Sequence, residues 1–211
     1  MYLGRIVAAG QTKDGRAVAM YRVSSRSFPN REARKINDTV SIMPRPGFEG
    51  DLSKNPYIAY NCIRMARNSV VASNGSHTDP IVEKIAMGMS ARDALALSLL
   101  AMDYEKDDYN TPRIAAVAEL NSSNVVLGIV RHDGLIEREF HAEPGQTFYV
   151  STYEKNVPCD HYKDEAFDAE NAAEACQYAI DGGVFADFEH PVTSAAAVAG
   201  YDGFNTAVLS I

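Results

Sequence analysis

The order of hydrophobic and polar positions predicts two groups of short strands separated by helices. The first group is predicted at residues 2–9, 17–23, 39–43, 57–65 and 69–72. The second is predicted at residues 113–120, 124–131, 135–141 and 147–152, with a final strand at residues 204–209. Asp14-Gly15 and Asp133-Gly134 suit tight turns between strands, because glycine tolerates positive φ.

Helix signals lie between and after these groups. Asp79-Pro80 predicts a helix start, with Asp79 as the N-cap and proline at the first helical position. Ser90 and Asp93 match a capping box that opens an apolar, largely buried helix reaching about Met102. A further helix is predicted at residues 168–180 and a short one at residues 195–199, whereas residues 24–37 show no period and predict a loop.

Strands grouped with strands, rather than alternating with helices, favour an α+β fold in which helices pack against antiparallel sheets. No linker, repeat or low-complexity stretch divides the chain, so residues 1–211 are predicted to form one domain. The length is sufficient to bury a core without a metal or disulfide staple.

Net charge and cysteine content limit the classes of partner and the cellular compartment that fit the sequence. The net charge of −8 argues against general nucleic-acid binding, yet five cations and one anion cluster between Arg22 and Lys35. Three cysteines without CxxC spacing fit a reducing compartment. The chain lacks a signal-peptide pattern and an apolar run long enough for a bilayer, so a cytoplasmic protein without membrane contact is predicted.

Familiar cofactor and nucleophile motifs are missing from the sequence. There is no GxxxxGK[ST], no GxGxxG after a strand and no GxSxG, and the five histidines lack HxxxH spacing. We therefore expect neither a metal nor a cofactor, and chemistry carried by side chains alone.

Three polar segments interrupt the apolar pattern, at residues 21–31, at residues 56–61 with 73–78, and at residues 104–113. The first combines arginines and hydroxyls, which suit phosphate oxygens because guanidinium groups make paired charge-assisted bonds. The second places Tyr60 and Asn61 inside a strand, and the third places Glu105 beside Lys106. Each has a plainer interpretation on its own, as a solvated loop, strand packing or turn chemistry.

Together these segments resemble the archaeal-type IMP cyclohydrolases and their bacterial relatives. The resemblance begins at Met1-Tyr2-Leu3-Gly4-Arg5, continues through the three segments in order, and covers the whole chain. It implies a four-layered αββα sandwich, similar to the N-terminal nucleophile hydrolases but without their terminal nucleophile. Met1 followed by bulky Tyr2 agrees with that expectation.

The resemblance also implies a reaction and a site. Family members close 5-formamidoimidazole-4-carboxamide ribotide to inosine monophosphate (IMP), with loss of water. By position in the matching motifs, Glu105 is expected to transfer a proton and Arg31 to stabilise the oxyanion. Tyr60 is expected to donate a hydrogen bond to the formyl oxygen and to supply the proton for the leaving water. The expected substrate ligands are Arg22, Ser24, Arg26, Asn61, Asn74, Lys106, Asn110 and Arg113. Arg22, Ser24 and Arg26 lie at even spacing, so an extended run would point all three to one side.

Other interpretations stay open at this point. They are an amide hydrolase on the same fold, a non-catalytic nucleotide-binding module, and a purely structural domain. The expected partner is a small purine nucleotide rather than a nucleic acid or a membrane, and a homo-oligomer remains an option.

Overall fold

Two antiparallel sheets dominate the computed structural model, which describes residues 1–211. The strands are β1 (Arg5–Gln11), β2 (Ala17–Ser24), β3 (Arg31–Ile36), β4 (Thr39–Pro44), β5 (Tyr60–Ala66), β6 (Ser69–Ser73), β7 (Arg113–Glu119), β8 (Asn124–Arg131), β9 (Gly134–His141), β10 (Thr147–Ser151), β11 (Lys163–Asp164), β12 (Pro191–Gly200) and β13 (Gly203–Ser210). The helices are α1 (Asp51–Lys54), α2 (Thr78–Ala86), α3 (Ala91–Met102) and α4 (Ala172–Asp181), with 3-10 turns at Pro56–Ile58 and Gly183–Asp187.

The six-stranded sheet has the order β11-β10-β1-β2-β12-β13, and the seven-stranded sheet runs β3-β4-β5-β6-β7-β8-β9. The two sheets pack face to face, with α4 covering the outer face of the first and α2 and α3 covering the second. The result is the expected α+β sandwich of two sheets between helices.

Burial on both faces explains why the central strands read as continuous apolar runs. In β1, Val7 points into the core between the sheets, while its neighbour Ile6 points into the core beneath α4. Val70 and Val71 of β6 divide in the same way between the central core and the core under α2 and α3.

Helix α3 lies very close to its sheet because β8 carries a glycine there. A β-carbon on Gly128 would collide with the side chain of Leu95. Ser90 caps this helix as predicted, its hydroxyl accepting from the Asp93 N–H at 3.1 Å. The expectation that α3 is largely buried is wrong on one face, where Leu97 and Leu100 are exposed.

Two predicted elements are wrong, and two helices begin at other residues than predicted. Residues 195–199, predicted as a helix, lie in β12, which pairs with β2 on one side and β13 on the other. Residues 24–37, predicted as a loop, contain the edge strand β3. Helix α2 begins at Thr78 after His77, and α4 begins at Ala172 with Asn171 as its N-cap.

Candidate active site

A cavity of about 590 Å³ opens at one end of the sandwich, where both sheets deliver polar side chains. Arg5 enters it from the start of β1 and Arg31 from the start of β3. Glu105 and Thr111 come from the loop between α3 and β7, and Tyr153 from the loop after β10. The Ser25–Phe28 loop and the Asn55–Ile58 turn complete the wall.

Glu105 is a buried carboxylate in this wall. Its backbone N–H donates to the Thr111 carbonyl at 2.8 Å, which fixes the loop that carries it. Its Oε2 accepts from Arg5 Nη2 at 3.2 Å, and its Oε1 lies 3.8 Å from Arg113 Nη1. Burial raises the pKa of Glu105 to about 7, and the charges of Arg5 and Arg113 oppose that rise. A carboxyl group with this pKa can both accept and return a proton at neutral pH.

Arg5 connects this carboxylate with two buried phenols. Burial disfavours its charge, but Glu105, Tyr60 and Tyr21 favour it, and the net pKa of Arg5 lies above its ordinary value. Sequence reasoning did not select Arg5 as a site residue, although a charged residue opening the apolar strand β1 was a signal for it.

Tyr21 and Tyr60 form a hydroxyl pair that bridges the two sheets. Tyr21 belongs to β2 and Tyr60 to β5, and their hydroxyl oxygens are 2.5 Å apart. Burial raises the pKa of both phenols, with Arg31 and Arg5 opposing the rise at Tyr60. Tyr21 was missed as a site residue because an aromatic side chain in a buried strand is ordinary packing.

Arg31 is buried at the start of β3, and its Nε donates to the Phe28 carbonyl at 3.1 Å. Burial lowers its pKa, and the nearby phenol of Tyr60 opposes that change. The structure therefore brings Arg31, Tyr60 and Glu105, the three expected catalytic residues, to the same end of the sandwich. Tyr60 itself is not part of the cavity wall, but lies beside the arginines that are.

Arg26 lies at the rim of the cavity. Its guanidinium lies 4.2 Å from the centre of the Tyr2 ring and 3.5 Å from a Glu189 carboxylate oxygen. Tyr2 in turn stacks on Tyr153, so the two rings support the arginine from below. This is the one expected phosphate ligand that lies at the cavity.

Arg22 and Ser24 do not reach the cavity, which corrects the prediction that they bind substrate there. Alternation along β2 sends Tyr21 to the core between the sheets and Arg22 to the opposite face, beneath α4. There Arg22 donates to Ser24 Oγ and to the carbonyls of four residues: Ala179, Ile180, Phe185 and Phe188. Burial lowers the pKa of Arg22 to about 10.

Four other expected ligands are not part of the cavity wall. Asn61 donates to Asp79 in a separate cleft beside α2. Asn74 is occupied by backbone groups, accepting from the Ile114 N–H and donating to the Pro112 carbonyl. Lys106 pairs with Asp103 at 2.6 Å, and Asn110 is an exposed turn residue with a φ of 48°.

Arg113, the last expected ligand, is buried directly behind Glu105 rather than in the cavity wall. The histidine, cysteine, aspartate and glutamate side chains form no group of three or more that could hold a metal ion. None of the helices is both long enough and apolar enough to cross a membrane.

A sandwich whose polar end cavity holds a buried carboxylate and several arginines, beside a buried pair of phenols, suits an acid–base enzyme for a small anionic substrate. The family model described as "IMP cyclohydrolase-like protein" matches residues 2–203. The chain belongs to this family.

Curated relatives agree with the family match. The chain is similar to a protein named IMP cyclohydrolase from Methanosphaera stadtmanae, with 52% identity over 197 residues covering 93% of this chain and 94% of the relative. It is 49% identical over 209 residues to the IMP cyclohydrolase of Methanocella arvoryzae, covering 99% of this chain and 98% of the relative. For the Methanocaldococcus jannaschii IMP cyclohydrolase, the identity is 44% over 210 residues, with 98% of each chain covered.

Proposed function

We propose that this protein is an IMP cyclohydrolase, which closes 5-formamidoimidazole-4-carboxamide ribotide to IMP with loss of water. This is the last step of de novo purine biosynthesis. The family match and the names of the relatives support the activity. The structural observation that supports it best is Glu105, a buried carboxylate in the cavity wall with a pKa of about 7.

The first step joins two groups of one substrate molecule. The carboxamide nitrogen attacks the formyl carbon, a C–N bond forms, and the formyl C=O becomes a C–O–H group. Glu105, directly or through a water, takes the proton that the nitrogen loses. Tyr60 gives a proton to the formyl oxygen, and Arg31 stabilises the negative charge that develops there. Holding the two groups in attack geometry is worth several kcal/mol by itself.

The second step removes water from the cyclic intermediate. The former formamide nitrogen returns a proton to the Tyr60 phenolate, directly or through a water, a C=N bond forms, and the C–O bond breaks. Protonated Glu105 or its water returns a proton to the leaving hydroxyl, so no net proton is consumed. Tyr60 thereby recovers the proton that it gave to the formyl oxygen, while the Tyr21 hydroxyl, 2.5 Å away, holds it in place.

The ribose phosphate is assigned to the open side of the cavity. Arg26 is the cation there, and the neighbouring Ser25 and Ser27 supply hydroxyl and backbone donors. Arg22 and Ser24 are excluded from this role because they bond elsewhere. In this orientation, the imidazole ring and the two reacting groups of the substrate lie near Arg5, Arg31 and Glu105.

We further propose that residues 1–211 act as one domain in the cytoplasm. The family match from residue 2 to residue 203 supports one domain, and a purine-biosynthesis reaction supports the compartment.

Direct turnover tests the proposed function. The purified protein is incubated with the formylated ribotide, without added metal or cofactor, and IMP is followed by absorbance. We expect IMP to form well above the background cyclisation rate. Tight binding of IMP without acceleration would instead identify a nucleotide-binding module, and release of formate would identify an amide hydrolase.

A further inference from the structure

The loop between α3 and β7, which carries Glu105, is organised around the carboxylate of Asp107. Asp107 Oδ1 accepts from the Thr111 N–H at 2.9 Å and from the Tyr109 N–H at 3.2 Å. Its Oδ2 accepts from the Thr111 hydroxyl at 2.7 Å. Both oxygens of this side chain therefore bind donors of its own loop.

Thr111 connects Asp107 with Glu105. Thr111 is fully buried, and its N–H and its hydroxyl both bind the Asp107 carboxylate. The Thr111 carbonyl accepts from the Glu105 N–H at 2.8 Å. Because one buried residue makes all of these contacts, a shift of Thr111 relative to Asp107 also shifts the backbone of Glu105.

The backbone of this loop also depends on Asp107 at Asn110, which has a φ of 48°. Residues other than glycine adopt this region uncommonly, and such a conformation persists only where surrounding contacts stabilise it. The Asp107 carboxylate binds the N–H groups on both sides of Asn110, those of Tyr109 and Thr111. The Asp107 carbonyl also accepts from the Asn110 N–H at 3.1 Å. These contacts stabilise the turn that brings Thr111 back to Glu105.

Asp107 and Glu105 both line the cavity, but their carboxylate oxygens are used differently. The Asp107 oxygens accept three hydrogen bonds from the loop. Glu105 Oε1, by contrast, has no hydrogen-bond partner in the protein. A buried polar atom without a partner is typical of a group that takes part in chemistry, whereas a fully bonded carboxylate stabilises structure.

We propose that Asp107 is a positioning residue for Glu105: its carboxylate fixes Thr111, and Thr111 fixes the backbone that carries the Glu105 side chain. The consequence for proton transfer rests on the proposed function. In this role Asp107 exchanges no proton with the substrate and acts on the reaction only through Glu105.

The charge of Asp107 also acts on the Glu105 carboxyl group. The charged groups that face Glu105 are Arg5 from β1, Arg31 from β3, Arg113 from β7 and, as the anion among them, Asp107 from its own loop. Burial raises the pKa of Glu105 to about 7, the arginines oppose that rise, and the charge of Asp107 adds to it. Removing the charge of Asp107 should therefore lower the pKa of Glu105.

Three variants separate the hydrogen bonds of Asp107 from its charge. Asp107→Asn removes the charge but keeps an oxygen for the two backbone N–H groups, and its amide can donate to the Thr111 hydroxyl. Asp107→Ala removes both. Asp108→Asn is the matched control, because Asp108 is exposed in the same loop and is not part of the cavity wall.

Three measurements on folded protein compare these variants. The first is kcat as a function of pH. The second is the midpoint of the Glu105 carboxyl titration by 13C NMR in ligand-free protein, assigned with Glu105→Gln. The third is the rate of hydrogen exchange at the Glu105 N–H, which reports opening of the loop.

Asp107→Ala is expected to lower the plateau kcat by at least about 10-fold and to speed exchange at the Glu105 N–H, because a loosened loop misplaces Glu105. Asp107→Asn should keep the plateau kcat within about 2-fold of wild type, while the midpoint and the acidic limb of the kcat profile fall by about 0.5 unit. Asp108→Asn should change none of these quantities.

A wild-type plateau kcat in Asp107→Ala, or equal losses in the Ala and Asn variants, would overturn the proposal. Equal midpoint shifts in Asp107→Asn and Asp108→Asn would also overturn it. If Asp107→Ala does not fold, Thr111→Val replaces it, and the loss of one hydrogen bond to Asp107 should still lower kcat by about 5-fold. A wild-type kcat in that variant would then count against the proposal.

Hydrogen exchange and the titration midpoint do not depend on turnover. A protein that shows the expected exchange rates and midpoints but forms no IMP would contradict the proposed function and leave the positioning of Glu105 by Asp107 standing.

Discussion

Glu105 and Glu137 show how neighbours decide what a carboxyl group can do. Burial raises the pKa of each to about 7. Glu137 lies on the exposed strand β9, where Arg92, Asp93 and Glu139 are its charged neighbours. Glu105 instead lies in the cavity wall between Arg5 and Arg113. Glu105 is the candidate for proton transfer because it lies in the cavity wall, and not because of its pKa alone.

The pKa of Glu105 gives a pH dependence with a definite sign. The carboxylate must be ionised to take the first proton, so kcat is expected to fall as the pH drops through about 7. The same raised pKa means that the folded protein binds this proton more tightly than the unfolded chain. This group's contribution to the free energy of unfolding therefore decreases as the pH rises from about 4.5 to about 7.

Both effects can be measured between about pH 5 and 9, a range that includes the raised pKa of Glu105. The kcat is measured across this range, and the free energy of unfolding is measured by chemical denaturation at the same pH values. Glu105→Gln should remove this group's contribution to the pH dependence of unfolding. A kcat that stays flat across that range would contradict the assigned role.

The two phenols should differ in their effect on the reaction. Tyr60→Phe is expected to lower kcat by about 10²-fold, because it removes the proposed proton donor to the formyl oxygen. Tyr21→Phe should cost less, about 10-fold, because it removes only the hydrogen bond that holds Tyr60. Steady-state kinetics of the two variants check this order, and a larger loss from Tyr21→Phe would reverse the two roles.

At the scale of elements, strand β2 separates a structural arginine from a binding one. Arg22 joins β2 to the end of α4 and to the following turn, because its guanidinium donates to backbone carbonyls there. No other side chain donates to these carbonyls. Arg26 lies beyond the strand, at the cavity rim, with 58% of its side chain exposed.

This separation predicts opposite effects of two equivalent substitutions. Arg22→Met should lower the free energy of unfolding by about 3 kcal/mol, because buried carbonyls lose their donor. Its KM for the ribotide should stay near the wild-type value. Arg26→Met should raise KM and change stability by less than about 1 kcal/mol, since an exposed ion pair contributes little. Chemical denaturation and steady-state kinetics of both proteins provide the comparison.

The elements that sequence could predict were those whose local pattern agrees with their surroundings. Turn chemistry at Asp14-Gly15 and the cap at Ser90 depend on neighbouring residues alone, and both predictions are confirmed. Strand β12 reads as helix because alanine favours helices, but it becomes a strand by pairing with β2 and β13. Strand β3 is missed because only β4 pairs with it and its outward residues are polar.

The same limit applies to the site. Polar interruptions of apolar segments and the family resemblance led to Glu105, Tyr60 and Arg31, which the structure brings to one end of the sandwich. They could not distinguish Arg22 from Arg26, because the pattern does not show that β2 ends at Ser24, after Arg22 and before Arg26. Arg5 was missed for a different reason, since its partner Glu105 lies 100 residues away in sequence.

At the scale of the whole molecule, the site exists only because the two sheets are stacked. Arg5 and Tyr21 come from the six-stranded sheet, whereas Arg31, Tyr60 and Arg113 come from the seven-stranded one. At the cavity, the Tyr21–Tyr60 hydroxyl pair joins the two sheets directly, and the Arg5–Glu105 ion pair joins the six-stranded sheet to the loop before β7. The core between the sheets therefore sets the spacing of the reacting groups.

Charge at this scale also suits the proposed substrate. The chain carries a net charge of −8, yet arginines supply the cations of the cavity: Arg5, Arg26 and Arg31. These three arginines offset the carboxylates of Glu105, Asp107 and Glu154 in the cavity wall, and Arg26 at the rim gives a phosphorylated ligand a cation to bind.

The rate of IMP formation by matched glutamate variants tests the central claim most directly. Wild-type protein, Glu105→Gln and Glu137→Gln are compared on the formylated ribotide at pH 8, after unfolding curves show that all three are folded. The account predicts that Glu105→Gln lowers kcat by at least about 10²-fold, while Glu137→Gln stays within about 2-fold of wild type. Near-full turnover by Glu105→Gln, or equal losses in both variants, would contradict it.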